Sequence, residues 1–418
     1  MNKYFDDVIK NLSALIKFDS SQAPAVDGKP FGEENARCLD YFLSLASGMG
    51  FEVENYDNFV GEVRFGEGED FAVLAHLDVV PAGSGWTHEP FGGEIDEASR
   101  RIWGRGAMDD KGPALIALYA MKALKDEGFK PAKTVKLILG CNEETGWACI
   151  DHYNKVAKMP ETGISPDADF PVIYAEKGIV HLQFEFPAAN AAFSGLAGGG
   201  AANMVCDYCT ANAPVKSDAL EQLGLEYAAD TVTSRGKSAH GSTPEKGVNA
   251  IEKMLVYLGL TEMKKLLFVD KFGLSDFEDE TGRLTFSPNV IAQKDGKIYV
   301  TCDVRYPATY TLKKVLETVD KYGVPYVILH EQAPLYNDKN SKLITTLLDV
   351  YNAVTGANAK PVAIGGGTYA RALKFGAAFG PEEDGEECTI HQPDEYITFE
   401  KIEKCFKIYK LALERLCK

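Results

Sequence analysis

The chain has 418 residues, more than one ordinary hydrophobic core accommodates, so two domains are expected, one of them interrupted in sequence. Hydrophobic residues at 45% and charged residues at 25% are the proportions of a soluble globular protein. A formal net charge of -17, with no lysine or arginine block to offset it, argues against nucleic acid or an anionic membrane as partner.

Within residues 1–20, Val8, Ile9, Leu12, Leu15 and Ile16 recur at helical spacing among Lys3, Asp6, Asp7, Lys10 and Lys17. This predicts an amphipathic helix rather than a signal peptide, because no uninterrupted apolar core or small-residue cleavage site is present. No run of 18 apolar residues occurs anywhere, which excludes a membrane-spanning helix by pattern. Nine cysteines, an odd number spread over the whole length, suit reduced thiols and a cytoplasmic location. Cys206 and Cys209 spell C-x-x-C, but no second cysteine or histidine pair accompanies them, as a structural zinc site would need.

Residues 20–33 read as a loop through Pro24, Gly28, Pro30 and Gly32, and residues 34–48 as a helix through Cys38, Leu39, Phe42 and Leu45. Residues 60–65 and 71–77 read as strands, the second buried and running into His76 and Asp78. A histidine there is either a satisfied core residue or a metal ligand steadied by the carboxylate two positions on. Asp109 and Asp110 precede Pro113 and a helix over 114–126, a place where carboxylates serve as a helix cap or as metal ligands. Val135, Leu137, Ile138 and Leu139 predict a strand buried on both faces, ending at Gly140. Glu143 and Glu144 follow it. Adjacent carboxylates at a strand end face different ways, so one can hold a metal while the other acts on a water; an exposed acidic loop is the alternative. Asp167 follows a proline turn at Ser165-Pro166. The alternation of helices and strands through residue 178 predicts an α/β fold whose mostly parallel sheet is covered by helices, with sites gathered at the carboxyl ends of strands.

After Gly178 the pattern changes. Residues 180–186 alternate, residues 188–202 are rich in alanine and glycine, and residues 228–234, 290–303 and 324–329 read as strands of another sheet. Helical spacing predicts helices over 247–260 and 312–321. The run Gly365-Gly366-Gly367-Thr368 offers backbone amides to an anion, though it lacks the lysine and spacing of a nucleotide cradle.

In their order and wording, His76-x-Asp78, Met108-Asp109-Asp110-Lys111-Gly112-Pro113, Asn142-Glu143-Glu144-Thr145-Gly146-Trp147, Ser165-Pro166-Asp167, the Ala363–Arg371 stretch and His391 carry a resemblance. The chain resembles the co-catalytic di-zinc peptidases and deacylases that include carboxypeptidase G, succinyl-diaminopimelate desuccinylase and aminoacylase, and within them the peptidase V branch of bacterial dipeptidases. The resemblance implies a catalytic domain of residues 1–178 and 335–418 and an inserted α+β lid of residues 179–334.

It also implies two zinc ions per chain, with manganese or cobalt as substitutes. His76 and Asp167 would hold one ion, Glu144 and His391 the other, and Asp109 both. Glu143 would be the general base, Asp78 would steady His76, and the Asp109-Asp110 peptide would be cis. In the lid, His240 would stabilise the tetrahedral oxyanion, and Asn203 and Arg305 would hold polar groups of the substrate, joined by Gly366, Gly367 and Thr368. An arginine suits a terminal carboxylate because its planar fork meets both oxygens. The activity implied is hydrolysis of short unblocked peptides by metal-activated water. An N-acyl-amino-acid deacylase or desuccinylase, or a non-catalytic peptide- or metal-binding homologue, is the alternative. The lid is shorter than that of peptidase V, yet a monomer is expected from the branch, with a homodimer as the alternative.

Overall fold

The computed structural model describes residues 3–188 and 192–418. The chain divides into two compact units: Met1–Tyr174 with Asn337–Val362 and Thr368–Lys418, and Ala175–Tyr336 with Ala363–Gly367. The glycine run thus groups with the inserted unit through Gly367, a short excursion that the sequence pattern does not signal.

The first unit is built on a sheet in the order Glu52–Tyr56, Val60–Phe65, Lys133–Gly140, Glu69–His76, Thr162–Ser165, Phe375–Ala378, Ile173–Glu176. The four central strands from Lys133–Gly140 to Phe375–Ala378 run parallel, and the strands flanking them on either side are antiparallel. Apolar residues without alternation form this centre because both faces are covered: Phe71, Leu74, Leu137, Ile138 and Leu139 are fully buried. Helix Lys111–Asp126 packs against the Glu69–His76 strand and against the C-terminal helix Phe399–Leu416. The predicted first helix is Phe5–Ile16, with Val8, Ile9, Leu12, Leu15 and Ile16 turned inward.

The inserted unit is an antiparallel sheet in the order Glu226–Ala228, Thr231–Arg235, Tyr208–Asn212, Ser194–Gly198, Thr285–Lys294, Lys297–Tyr306, Gly178–Pro187, Tyr326–Gln332. Val180, Leu182, Phe184 and Phe186 alternate into its core, where they join Ile251, Met254 and Leu255 of helix Ala250–Leu258 and Val315 of helix Leu312–Val319.

One sequence expectation is corrected here. Residues 290–303 are not one strand but parts of the hairpin Thr285–Lys294 and Lys297–Tyr306. Asp295 and Gly296, at φ 51° and 71°, make the tight two-residue turn that left-handed backbone permits. The alanine- and glycine-rich stretch 188–202 includes residues 189–191, outside the described residues. Among the described residues no helix is long and apolar enough to cross a membrane.

Candidate metal centre

The parallel register decides where the polar residues of the first unit fall. His76 ends its strand level with Gly140. Ala378 ends its own strand level with Ser165, whose strand pairs with the His76 strand from Phe71 to Val73. The chain leaving these ends carries Asp78, Glu143 and Glu144, and Asp167, all on the carboxyl side of the sheet. Asp109 and Asp110 precede helix Lys111–Asp126, and the peptide bond between them is cis, as the resemblance implies.

Asp109 lies at the middle of the cluster, and its two oxygens serve different neighbours. Oδ1 is 3.0 Å from His76 Nε2, which is 3.7 Å from Asp167 Oδ2. Oδ2 is 3.0 Å from His391 Nε2, which is 3.0 Å from Glu144 Oε1. One carboxylate therefore faces two imidazole–carboxylate sets. His76, Asp109 and Glu144 each bring a ligand atom within 4.8 Å of the others. His76 Nε2 and Asp109 Oδ1 are buried and close to each other, yet no contact of either meets hydrogen-bond geometry among the described residues. Buried polar atoms of this kind are costly unless something binds them. A pair of cations fits, because each would receive one imidazole nitrogen, one private carboxylate and one oxygen of Asp109.

A second layer holds these groups. Asp78 Oδ1 and Oδ2 accept the backbone N–H groups of Glu143 at 3.0 Å and Glu144 at 3.1 Å. The Asp78 carboxylate is 3.6 Å from His76 Nδ1, while the Asp78 carbonyl stands 3.0 Å from that nitrogen. Asp78 thus anchors the glutamate loop with its side chain and meets the imidazole most closely through its backbone. Asp110 Oδ2 accepts from the His76 backbone N–H at 3.2 Å. Glu395, fully buried, accepts from Arg105 Nη1 at 2.6 Å through Oε2. Its Oε1 accepts the amides of Gly106 at 3.0 Å, Met108 at 2.9 Å and Asp109 at 3.3 Å.

Charge in this enclosure is strongly perturbed. Burial pushes the Glu143 carboxyl up to about 7, His76 pulling it down while Glu144, Asp78 and Asp109 add to the rise. Burial likewise raises Glu144 and Asp167. Burial would raise Asp109 too, but the close imidazoles of His391 and His76 hold it below the carboxylate range. Hydrogen bonds to Asp109 and Glu144 raise His391 to about 10 against the opposing effect of burial. So many carboxylates in a low-dielectric site call for positive charge, which bound cations would supply.

The inserted unit places its candidates as follows. His240 Nδ1 is 2.7 Å from the Ser242 hydroxyl, and burial followed by the charge of Arg305 lowers its pKa. Arg305 is buried; its Nε and Nη2 donate to Asp303, and Nη1 donates to the Gly365 carbonyl at 3.2 Å. Asn203 is exposed, and its carbonyl accepts from the Gly241 N–H at 2.7 Å. A Cβ on Gly241 would lie 2.2 Å from Asp303 Oδ2, so any side chain there would require the Asp303 carboxylate to shift. Gly366 and Gly367 group with this unit. Thr368 lies in the first unit, where its hydroxyl accepts from the Ala370 N–H at 3.2 Å.

Several contributors escape sequence reasoning. Glu395 sits four residues after His391 and 286 before it along the chain stands Asp109, whose amide it binds, so no local pattern joins them. Tyr369 is buried with its ring edge-on to His76 at 6.1 Å and to Trp147 at 5.2 Å. Trp147 Nε1 donates to Glu143 Oε1 at 3.0 Å; the four-residue spacing between them was the available signal.

Comparison with known proteins adds the following. The sequence pattern described as Peptidase family M20/M25/M40 matches residues 72–415. The YtjP protein of Bacillus subtilis (strain 168) is 34% identical over 454 aligned positions, covering 99% of this chain and 98% of that protein. The Beta-Ala-Xaa dipeptidase of Lactobacillus delbrueckii subsp. lactis is 33% identical over 457, covering 99% and 96%. Among solved structures, human carnosine dipeptidase 1 has the same fold, with a TM-score of 0.59 at 15% identity over 100% of this chain and 98% of that one.

Proposed function

The chain belongs to Peptidase family M20/M25/M40 and is a peptide-bond hydrolase; from that premise we propose that it is a two-zinc dipeptidase acting on short unblocked peptides. The observation that carries the reading is Asp109, whose two oxygens each face a separate histidine and carboxylate. His76 and Asp167 would hold one ion, Glu144 and His391 the other, with Asp109 shared. When bound, the ions supply Lewis-acid activation of water and of the peptide carbonyl.

The protein's own part is positioning and proton transfer. Glu143 accepts the proton of the attacking water as its oxygen bonds to the carbonyl carbon, and delivers that proton to the nitrogen as the C–N bond breaks. Asp78 fixes the glutamate loop by its two amide bonds, keeping Glu143 and Glu144 in separate roles. In the inserted unit we assign His240 as donor to the developing oxyanion and Arg305, its plane set by Asp303, as partner of a substrate carboxylate. That a full-length relative is a Beta-Ala-Xaa dipeptidase supports dipeptides as the substrate class.

The test is release of free amino acid from unblocked dipeptides and from matched N-acylated and N-succinylated amino acids, with and without a chelator. Chelator-sensitive cleavage of the dipeptides alone is expected. Cleavage of the acylated set alone would move the chain to the deacylases, and turnover that survives metal removal would overturn the zinc assignment.

A further inference from the structure

We infer that Trp147 is a positioning residue that presents the catalytic carboxylate of Glu143 through an indole N–H bond, an assignment that rests on Glu143 being the general base. Trp147 Nε1 is 3.0 Å from Glu143 Oε1. An indole N–H can only donate, so it is best matched by an unprotonated carboxyl oxygen. With Oε1 engaged, the other oxygen, Oε2, is the one left to take a proton.

The backbone shows that this placement is imposed. Trp147 adopts φ 64° and ψ 19°, left-handed space that a bulky side chain seldom occupies. Its N–H donates to the Asn142 carbonyl at 2.8 Å, and the Asn142 side chain accepts from the Ala148 N–H at 2.9 Å, closing residues 142–148 into a tight loop ahead of helix Ala148–Val156. Such strain persists where surrounding contacts over-determine it. Here the indole is turned back over Glu143 rather than out to solvent. Its ring rests edge-on against Tyr369, whose own ring meets His76. Ring packing fixes the indole, the indole fixes Oε1, and rotation of the Glu143 carboxylate is restrained by a group that is no metal ligand.

The decisive variant is Trp147→Phe, which keeps an aromatic ring against Tyr369 and removes the N–H. kcat is expected to fall about tenfold, the effect of losing one hydrogen bond to a charged group, with KM within about twofold and zinc content unchanged. Benzothienylalanine placed at position 147 alone, which replaces N–H by sulfur in the same ring outline, should give the same loss should the phenylalanine variant fold poorly. The Glu143→Gln background separates a positioning role from a general structural one: adding Trp147→Phe there should leave residual activity unchanged, whereas a structural defect would lower it by the same factor again. Wild-type kcat in both position-147 variants, with Glu143→Gln reduced to a residual rate, would overturn the inference and spare the general base. An active Glu143→Gln would overturn the base assignment itself.

Discussion

Replacing Glu395 with alanine should be among the most destabilising changes available in the first unit. The side chain is fully buried and so is its partner Arg105, whose guanidinium also lies over the Trp86 ring. Alanine would leave a buried cation unpaired, which costs about 3–5 kcal/mol, and would strip an acceptor from the amides of Gly106, Met108 and Asp109, each bond worth about 1 kcal/mol net. These losses share one site and do not add fully, so a decrease of about 4–5 kcal/mol is expected. Glutamine keeps an acceptor for the amides and should lose about half as much. Burial, then the charge of Asp109, push Glu395 up to about 7 against the Met108 amide and Arg105, so the comparison belongs at pH 8, where it is ionised. Urea unfolding followed by circular dichroism gives both values. Because the three amides belong to the loop bearing Asp109, zinc content should fall with stability. A loss below 1 kcal/mol for alanine, or equal losses for alanine and glutamine, would refute the argument that the charge pair and the amide bonds act together.

Glu143→Ala should retain zinc and lose most turnover, whereas Glu144→Ala should lose zinc as well; atomic absorption and a dipeptide assay on the same preparations separate them, and equal activity of Glu143→Ala and wild type would end the base assignment. His240→Ala should lower kcat with zinc retained, and loss of metal would show that its role has been misassigned. In the inserted unit, burial would raise the Asp279 carboxyl, but donors from Thr281 and Thr309 at 2.5–2.8 Å outweigh it and lower the folded-state pKa. A depressed pKa stabilises above the unfolded value and is lost as pH falls through the folded one, so Asp279→Asn should be less stable than wild type at pH 7 and the gap should close below about pH 4. A gap of the same size at pH 3 would contradict this.

Much of the first unit was legible because its elements are locally consistent. Leu137, Ile138 and Leu139 lack alternation and are buried on both faces, and Val8 to Ile16 keep a helical stripe. The candidate ligands His76, Asp109, Glu144 and Asp167 stood out because each stands near a strand end or a helix start, where backbone geometry concentrates polar side chains, whereas His391 lies in the loop between Pro381–Glu382 and Tyr396–Thr398. What escaped depends on tertiary encounters. Nothing near Glu395 announces that it will receive three amides from residues nearly 290 positions earlier. Nor does the His76-Leu77-Asp78 spacing reveal that the Asp78 carboxylate turns to the glutamate loop while its carbonyl meets the imidazole. The hairpin at Asp295-Gly296 escaped for a different reason: its two-residue turn sits between two strands that both carry β-branched and apolar residues, so residues 290–303 read as one strand.

The order of the candidate ligands along the chain bears on how the protein couples metal to folding. His76, Asp109, Glu144, Asp167 and His391 come from five separate stretches, and no two of them form a local chelating pair such as two histidines on one helix face. The parallel register, with His76 level with Gly140 and Ser165 level with Ala378, brings the stretches of His76, Glu144 and Asp167 to one edge. The unfolded chain therefore has no preformed site, and cation binding at this centre would add to the stability of the folded arrangement. The same logic explains the second layer. Asp78, Asp110 and Glu395 each bind backbone amides of the ligand-bearing segments, so the positions of the ligands are set by main-chain bonds before any cation arrives. On the proposed reading such a centre would separate affinity from catalysis: the amide bonds would set where the ligands stand, and Glu143, bonded to Trp147, would act on the substrate without being a ligand.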